Sequence, residues 1–146
     1  MKNPIEVVRV DQRMKNLLIQ LKRKTKIQNW NILCRWGFIL SLTIETPPNE
    51  VAVENDGAVE MSWKVFSGSY DHLIWAMLKY RILKEGFNLD DDVLKDQFKR
   101  HLYRGIQHLS NVEFGSGAIN FAQKIIPQEM LIDDEPQFNL FNRGEA

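Results

Sequence analysis

The chain has 146 residues, 44% of them apolar, which suits one compact domain with a substantial core. Its single cysteine, Cys34, excludes an internal disulfide and a thiolate metal cluster, and its longest apolar stretch, residues 36–40, falls far short of the roughly 20 residues of a membrane helix. The zero net charge conceals an asymmetry: residues 1–42 carry nine Lys/Arg against Glu6 and Asp11, a net +7, which the remainder balances at −7.

Such a division suggests a polyanion-binding end and an acidic remainder; the plainer alternative is a set of solvated helix faces. Residues 1–10 lack the long apolar run and small-residue cleavage site of a secretion signal, so a cytoplasmic location is expected.

Residues 5–10 are β-branched and alternating, which predicts a short strand. Asp11 is placed to cap a following helix by accepting from its unpaired first-turn amides. Val10, Met14, Leu17, Leu18 and Leu21 recur at steps of three and four and form one face of that helix. The helix should end near Lys24 or Thr25, where Lys22, Arg23 and Lys24 complement the negative end of its dipole; Lys26 is a further cation beyond that need.

A second helix follows, with Thr25 and Gln28 as a capping box or Asn29 as an alternative cap. Between Trp30 and Leu42 only Asn31, Arg35 and Ser41 are polar, so this helix should be buried on most sides. A single small subunit has difficulty covering it, and burial against a second subunit is the expected solution. Strand, helix, turn and helix in this order match the layout of ribbon-helix-helix proteins, whose strands read DNA in the major groove.

Residues 18–42, and above all Leu21-Lys-Arg-Lys-Thr and Asn31-Ile-Leu-Cys-Arg-Trp, closely resemble the signature of the DndE family, small proteins of the bacterial DNA phosphorothioation system. The likeness continues through Trp63-Lys-Val-Phe-Ser-Gly-Ser-Tyr and Arg100-His-Leu-Tyr-Arg-Gly-Ile and fades beyond Asn111. It implies a mainly helical subunit with ribbon-helix-helix features, a homotetramer, and affinity for nicked double-stranded DNA. It also implies three partners: a cysteine desulfurase, an iron-sulfur enzyme of the ATP-pyrophosphatase type and an SMC-like ATPase. One position departs from the pattern. Where a glycine is expected after Thr25, this chain has Lys26, which forgoes the residue best suited to a left-handed helix cap and adds a cation.

Pro47 and Pro48 lead the chain out of the second helix. Asn55-Asp56-Gly57, between β-prone runs in residues 50–66, suggests a small hairpin or irregular excursion. Residues 70–85 form a third helix stopped by Gly86, and residues 91–109 a fourth, with Leu94, Phe98, Leu102, Ile106 and Leu109 at core spacing. The fold expected is thus mainly α: a strand-helix-helix unit, two further helices and a small β excursion. Residues 1–111 read as one DNA-binding domain and residues 112–146, with six acids against Lys124 and Arg143, as a weakly ordered or docking arm.

Asp90, Asp91 and Asp92 suit a helix start better than a metal site. His72, His101 and His108 lack metal-ligand spacing, and the seven-residue step from His101 to His108 suggests one solvated or interfacial helix face. No phosphate-binding loop or nucleophile elbow appears, and Cys34 lies in an apolar helix, so no catalysis and no cofactor are expected.

The DNA contacts proposed from sequence are Lys15, Lys22, Arg23, Lys24 and Lys26, neutralising phosphates without reading bases. Arg35 suits pairing with an acid or carbonyl inside its helix, and Trp30 and Trp36 suit packing more than stacking on bases. A DNA-binding accessory subunit is the leading function. A ribbon-helix-helix repressor using Arg9 and a protein assembly scaffold stand behind it, and a nuclease is more distant.

Overall fold

Side chains in residues 7–10 alternate between solvent and core, the period of a strand with one covered face. In the computed structural model, which describes residues 3–52 and 57–112, they form β1 (Val7–Val10). The partner strand comes from the same chain: β2 (Val59–Ser62) runs antiparallel, with Val10 opposite Val59 and Arg9 opposite Glu60. Among the described residues of the expected hairpin or irregular excursion at 50–66, β2 takes its ladder from the N-terminal strand. Residues 55 and 56 of the expected turn, and residues 113–146 of the expected arm, lie outside the described residues.

Asp11 caps α1 (Gln12–Thr25) as its position suggests, its carboxylate accepting from the Met14 amide at 2.9 Å. The Asp11 amide in turn donates to the Tyr103 hydroxyl at 3.0 Å, tying the start of α1 to the far end of the sequence. Met14, Leu18 and Leu21 are fully buried on one face. The next helix, α2 (Trp30–Leu42), begins at Asn29 without a side-chain cap bond. Thr25 donates to the Leu21 carbonyl at 2.7 Å and accepts from the Ile27 amide at 3.2 Å, so its hydroxyl closes α1 rather than opening α2.

Ten of the thirteen residues of α2 are buried within this one chain. The expectation that a second subunit must cover α2 is therefore overturned. The covering elements are α3 (Trp63–Ser67), which a short 3-10 turn (Gly68–Tyr70) joins to α4 (Asp71–Lys84), and above all α5 (Asp91–Ser110). Two glycines make this possible. A Cβ on Gly105 would stand 1.7 Å from the Gly37 carbonyl oxygen, and one on Gly37 would stand 3.0 Å from the Ile106 amide nitrogen. With no side chain at the crossing, the backbones of α2 and α5 approach until their flanking side chains interlock.

Around the crossing, Phe38, Trp63, Phe66, Trp75 and Phe98 form a cluster of stacked and edge-on rings, with Trp63 and Trp75 centroids 4.6 Å apart. Arg35 is fully buried beside it and donates to the Phe66 carbonyl at 2.9 Å, the kind of partner its burial demands.

The C-terminal end of α2 and the chain leaving it are gathered by two arginines. Arg81 on α4 donates to the carbonyls of Leu42, Glu45 and Thr46 at 3.0–3.2 Å and pairs with Glu85. Arg104 on α5 donates to the Ser41 carbonyl at 2.9 Å, the Ser41 hydroxyl at 2.8 Å and the Thr46 carbonyl. Helix C-termini leave four carbonyls unpaired and carry partial negative charge, so two guanidinium groups satisfy both needs. His101 completes the group, its Nδ1 2.8 Å from the Ser41 hydroxyl. The sequence placed His101 and His108 on a solvated or interfacial face; in the fold His101 is fully buried against α2, and only His108 near the end of α5 is exposed.

Two outcomes follow from this packing. Gly105→Ala forces α2 and α5 apart and is expected to cost about 3 kcal/mol or more, because backbone, not a movable side chain, blocks the methyl. Urea unfolding measures it, and a loss below about 1 kcal/mol contradicts the contact. Burial, then the nearby charges of Arg104 and Arg81, lowers the His101 pKa from 6.5 to about 3. Protonation below pH 6.5 therefore favours the unfolded chain, and stability should fall as pH drops, with a slope approaching about 1.4 kcal/mol per pH unit. His101→Asn, which keeps a group at the Nδ1 position, should flatten the curve between pH 7 and 5.5, above the main carboxylate titrations; an unchanged slope assigns the effect elsewhere.

Candidate nucleic-acid interface

Four of the five cations singled out from sequence converge at one corner, the last turn of α1 and the loop to α2. Lys22, Arg23 and Lys24 complete α1, and Lys26 is its C-cap. Lys15 lies two turns earlier, about 10 Å along the helix axis, half-buried beside the row of Met14, Leu18 and Leu21.

Their surroundings differ. Lys22 Nζ sits 3.7 Å from the centroid of the Trp30 ring, an arrangement that holds the ammonium against the ring's negative face while spanning the loop from α1 to α2. Lys24 Nζ donates to the Ser110 carbonyl at 2.8 Å, reaching the end of α5 across 86 positions of sequence. The side chains of Arg23 and Lys26 are exposed and make no hydrogen bond or ion pair among the described residues. The C-terminal ends of α1 and α5 therefore meet at this corner. Two sets of unpaired carbonyls draw cations to it, and the cations left facing water are available to an external anion.

Lys26 adopts φ 63° and ψ 12°, the left-handed conformation, and its amide donates to the Lys22 carbonyl at 3.0 Å. Among the described residues it is the only non-glycine with positive φ. The turn keeps a left-handed cap although the side chain makes that conformation costly.

The other candidates fall away from the corner. Arg35 and Trp36 are buried, and Trp30 is half-buried beneath Lys22. Arg9 pairs with Glu60 across the sheet at 2.6 Å. Burial pushes the Cys34 thiol up to about 12, which Arg35 only partly opposes, so the nucleophilic thiolate is scarce at neutral pH. Asp91 and Asp92 occupy the first turn of α5, where the dipole favours them. No group of three or more His, Cys, Asp or Glu among the described residues is arranged to hold a metal ion. No helix among them is long and apolar enough to cross a membrane.

Sequence reasoning missed the end of α5 as part of this corner. It also missed Arg81 and Arg104 as the clamp on α2. No local signal marks either, because the carbonyls involved come from distant segments.

The family model described as DNA sulphur modification protein DndE matches residues 7–114. This chain belongs to the DndE family. The match runs from β1 to just past α5, so it takes in the paired strands, the glycine crossing and the basic corner, and it gives the chain a role in DNA sulphur modification. No curated protein matches the chain. Within this DndE fold, Lys26 holds a left-handed cap, the conformation that glycine adopts without cost. Lys26→Gly is expected to raise stability by about 1 kcal/mol by removing the left-handed penalty. The urea midpoint reads the effect; a fall in stability would mean that the lysine side chain has a stabilising contact of its own.

Proposed function

We propose that the protein is a non-catalytic DNA-binding subunit of the sulphur modification system that grips the duplex backbone through the corner between α1 and α2. The observation that carries this reading is the convergence of Lys22, Arg23, Lys24 and Lys26 on one surface in a chain of this family, with Arg23 and Lys26 turned to solvent. Cations so placed neutralise phosphates and release counterions, giving affinity that depends on salt more than on sequence. Lys15 extends the same helical side toward a second phosphate position. The engagement of Arg9 with Glu60 weighs against a repressor that reads bases from β1.

Preference for a nick, assembly as a homotetramer and partnership with a cysteine desulfurase, an iron-sulfur enzyme and an SMC-like ATPase belong to the same proposal. A nick lowers the energy of bending the duplex onto a surface that carries several basic corners. For subunit contact, α4 offers what α2 does not. Leu73, Tyr80 and Leu83 on its outer side and Phe87 just beyond are exposed, Tyr80 to 67% and Leu83 to 56%, a row that suits protein contact.

Fluorescence anisotropy with intact and nicked duplexes of one sequence, and a nicked duplex of scrambled sequence, tests this across salt. The unaltered protein is expected to bind the nick more tightly and to be indifferent to sequence, and Arg23→Gln and Lys26→Gln should each reduce the salt slope by about 0.9, the value for one phosphate contact removed. Sedimentation of the same samples should give four subunit masses. Absence of binding at low salt sinks the DNA reading in favour of a scaffold, sequence selectivity favours a repressor, and a monomer removes the tetramer.

A further inference from the structure

The described chain leaves the fold at the basic corner. α5 ends at Ser110, whose carbonyl is held by Lys24 Nζ at 2.8 Å, and Asn111 and Val112 follow. The family match stops at residue 114, so residues 115–146 lie beyond the part this chain shares with that family model. Residues 113–146 hold six acids against Lys124 and Arg143, and four of them, Glu129, Asp133, Asp134 and Glu135, fall within seven positions with no base among them.

We propose that the basic corner is also the docking surface for the chain's own acidic stretch, residues 129–135, which there competes with DNA phosphates. This rests on the DNA-binding reading for its consequence, though not for the docking itself. The argument is one of charge and connection. Arg23 and Lys26 present positive charge to solvent at the point where the chain departs. The nineteen steps of chain from Ser110 to Glu129 can span up to about 65 Å, so their length sets no obstacle to a return to the corner where the chain departs. A covalently linked acidic segment acts at an effective concentration on the order of 1 mM. Even an intrinsic affinity as weak as about 0.1 mM would then keep the corner occupied about ten times as often as open, and DNA would bind more weakly by that factor. Carboxylates offer the same kind of acceptor as phosphate oxygens, at lower charge density, so a duplex bearing several phosphates displaces them.

The test keeps the chain at full length and compares it with the variant carrying Glu129→Gln, Asp133→Asn, Asp134→Asn and Glu135→Gln. These positions lie outside the described core, and circular dichroism checks that both proteins fold alike. Carbodiimide coupling, which joins lysine amines to carboxylates in contact, reads docking without DNA; anisotropy with a nicked duplex reads competition. Links from Lys22, Lys24 or Lys26 to residues 129–135 within one chain are expected, and added duplex should suppress them. The variant should bind DNA about tenfold more tightly at low salt. Absent links with equal DNA affinities overturn the docking and leave the DNA reading intact, and links only between separate copies also overturn it. Intramolecular links in a protein that binds no DNA, with or without the acids, support docking and overturn the DNA reading.

Discussion

The backbone crossing of Gly37 and Gly105 is the constraint on which the rest of this fold depends. A methyl group on Gly105 would overlap the Gly37 carbonyl, so α2 and α5 pack at a separation that only hydrogen atoms permit. That closeness lets α5 cover α2 along its length, with Phe38 meeting Phe98 at a centroid distance of 5.1 Å. It also brings Arg104 and His101 within reach of Ser41. A helix apolar almost all round is thereby satisfied inside a single subunit, and exposed apolar surface is left on α4 instead.

Helix ends explain where the charges sit. At the end of α2, Arg81 and Arg104 collect carbonyls from Ser41 to Thr46, close enough that burial and Arg81 lower the Arg104 pKa while Glu85 partly restores it. At the ends of α1 and α5 the same electrostatic demand is met by lysines nearer the surface. The first arrangement is buried and structural. The second leaves cations in water, where the field of two helix termini does not consume all their charge. This difference in burial, rather than any difference in residue chemistry, separates the clamp from the candidate DNA surface.

Position 26 joins stability and charge in one residue. A left-handed cap favours glycine, whereas a phosphate-binding surface favours a cation, and this chain takes the cation. The same tension is common at functional surfaces, where local conformation is held by surrounding structure against its own preference. Here the amide of Lys26 still bonds the Lys22 carbonyl, so the cap survives with its side chain directed outward.

Much of the architecture was legible in the residues. Alternation in residues 7–10, the Asp11 cap, the three-four spacing of Met14, Leu18 and Leu21, the Gly86 stop and the core row of α5 are local patterns, and local patterns follow from the periods of helix and strand. The basic cluster was equally plain, because its four members lie within five positions. Tertiary structure alone decided that β1 pairs with β2, that Thr25 closes α1 instead of capping α2, that His101 is buried, and that α2 needs no second subunit to cover it. It alone brought Ser110 to Lys24 and the carbonyls of residues 41–46 to Arg81 and Arg104. Sequence periodicity says which face of an element is covered, but the covering partner is fixed by close packing among segments far apart in the chain.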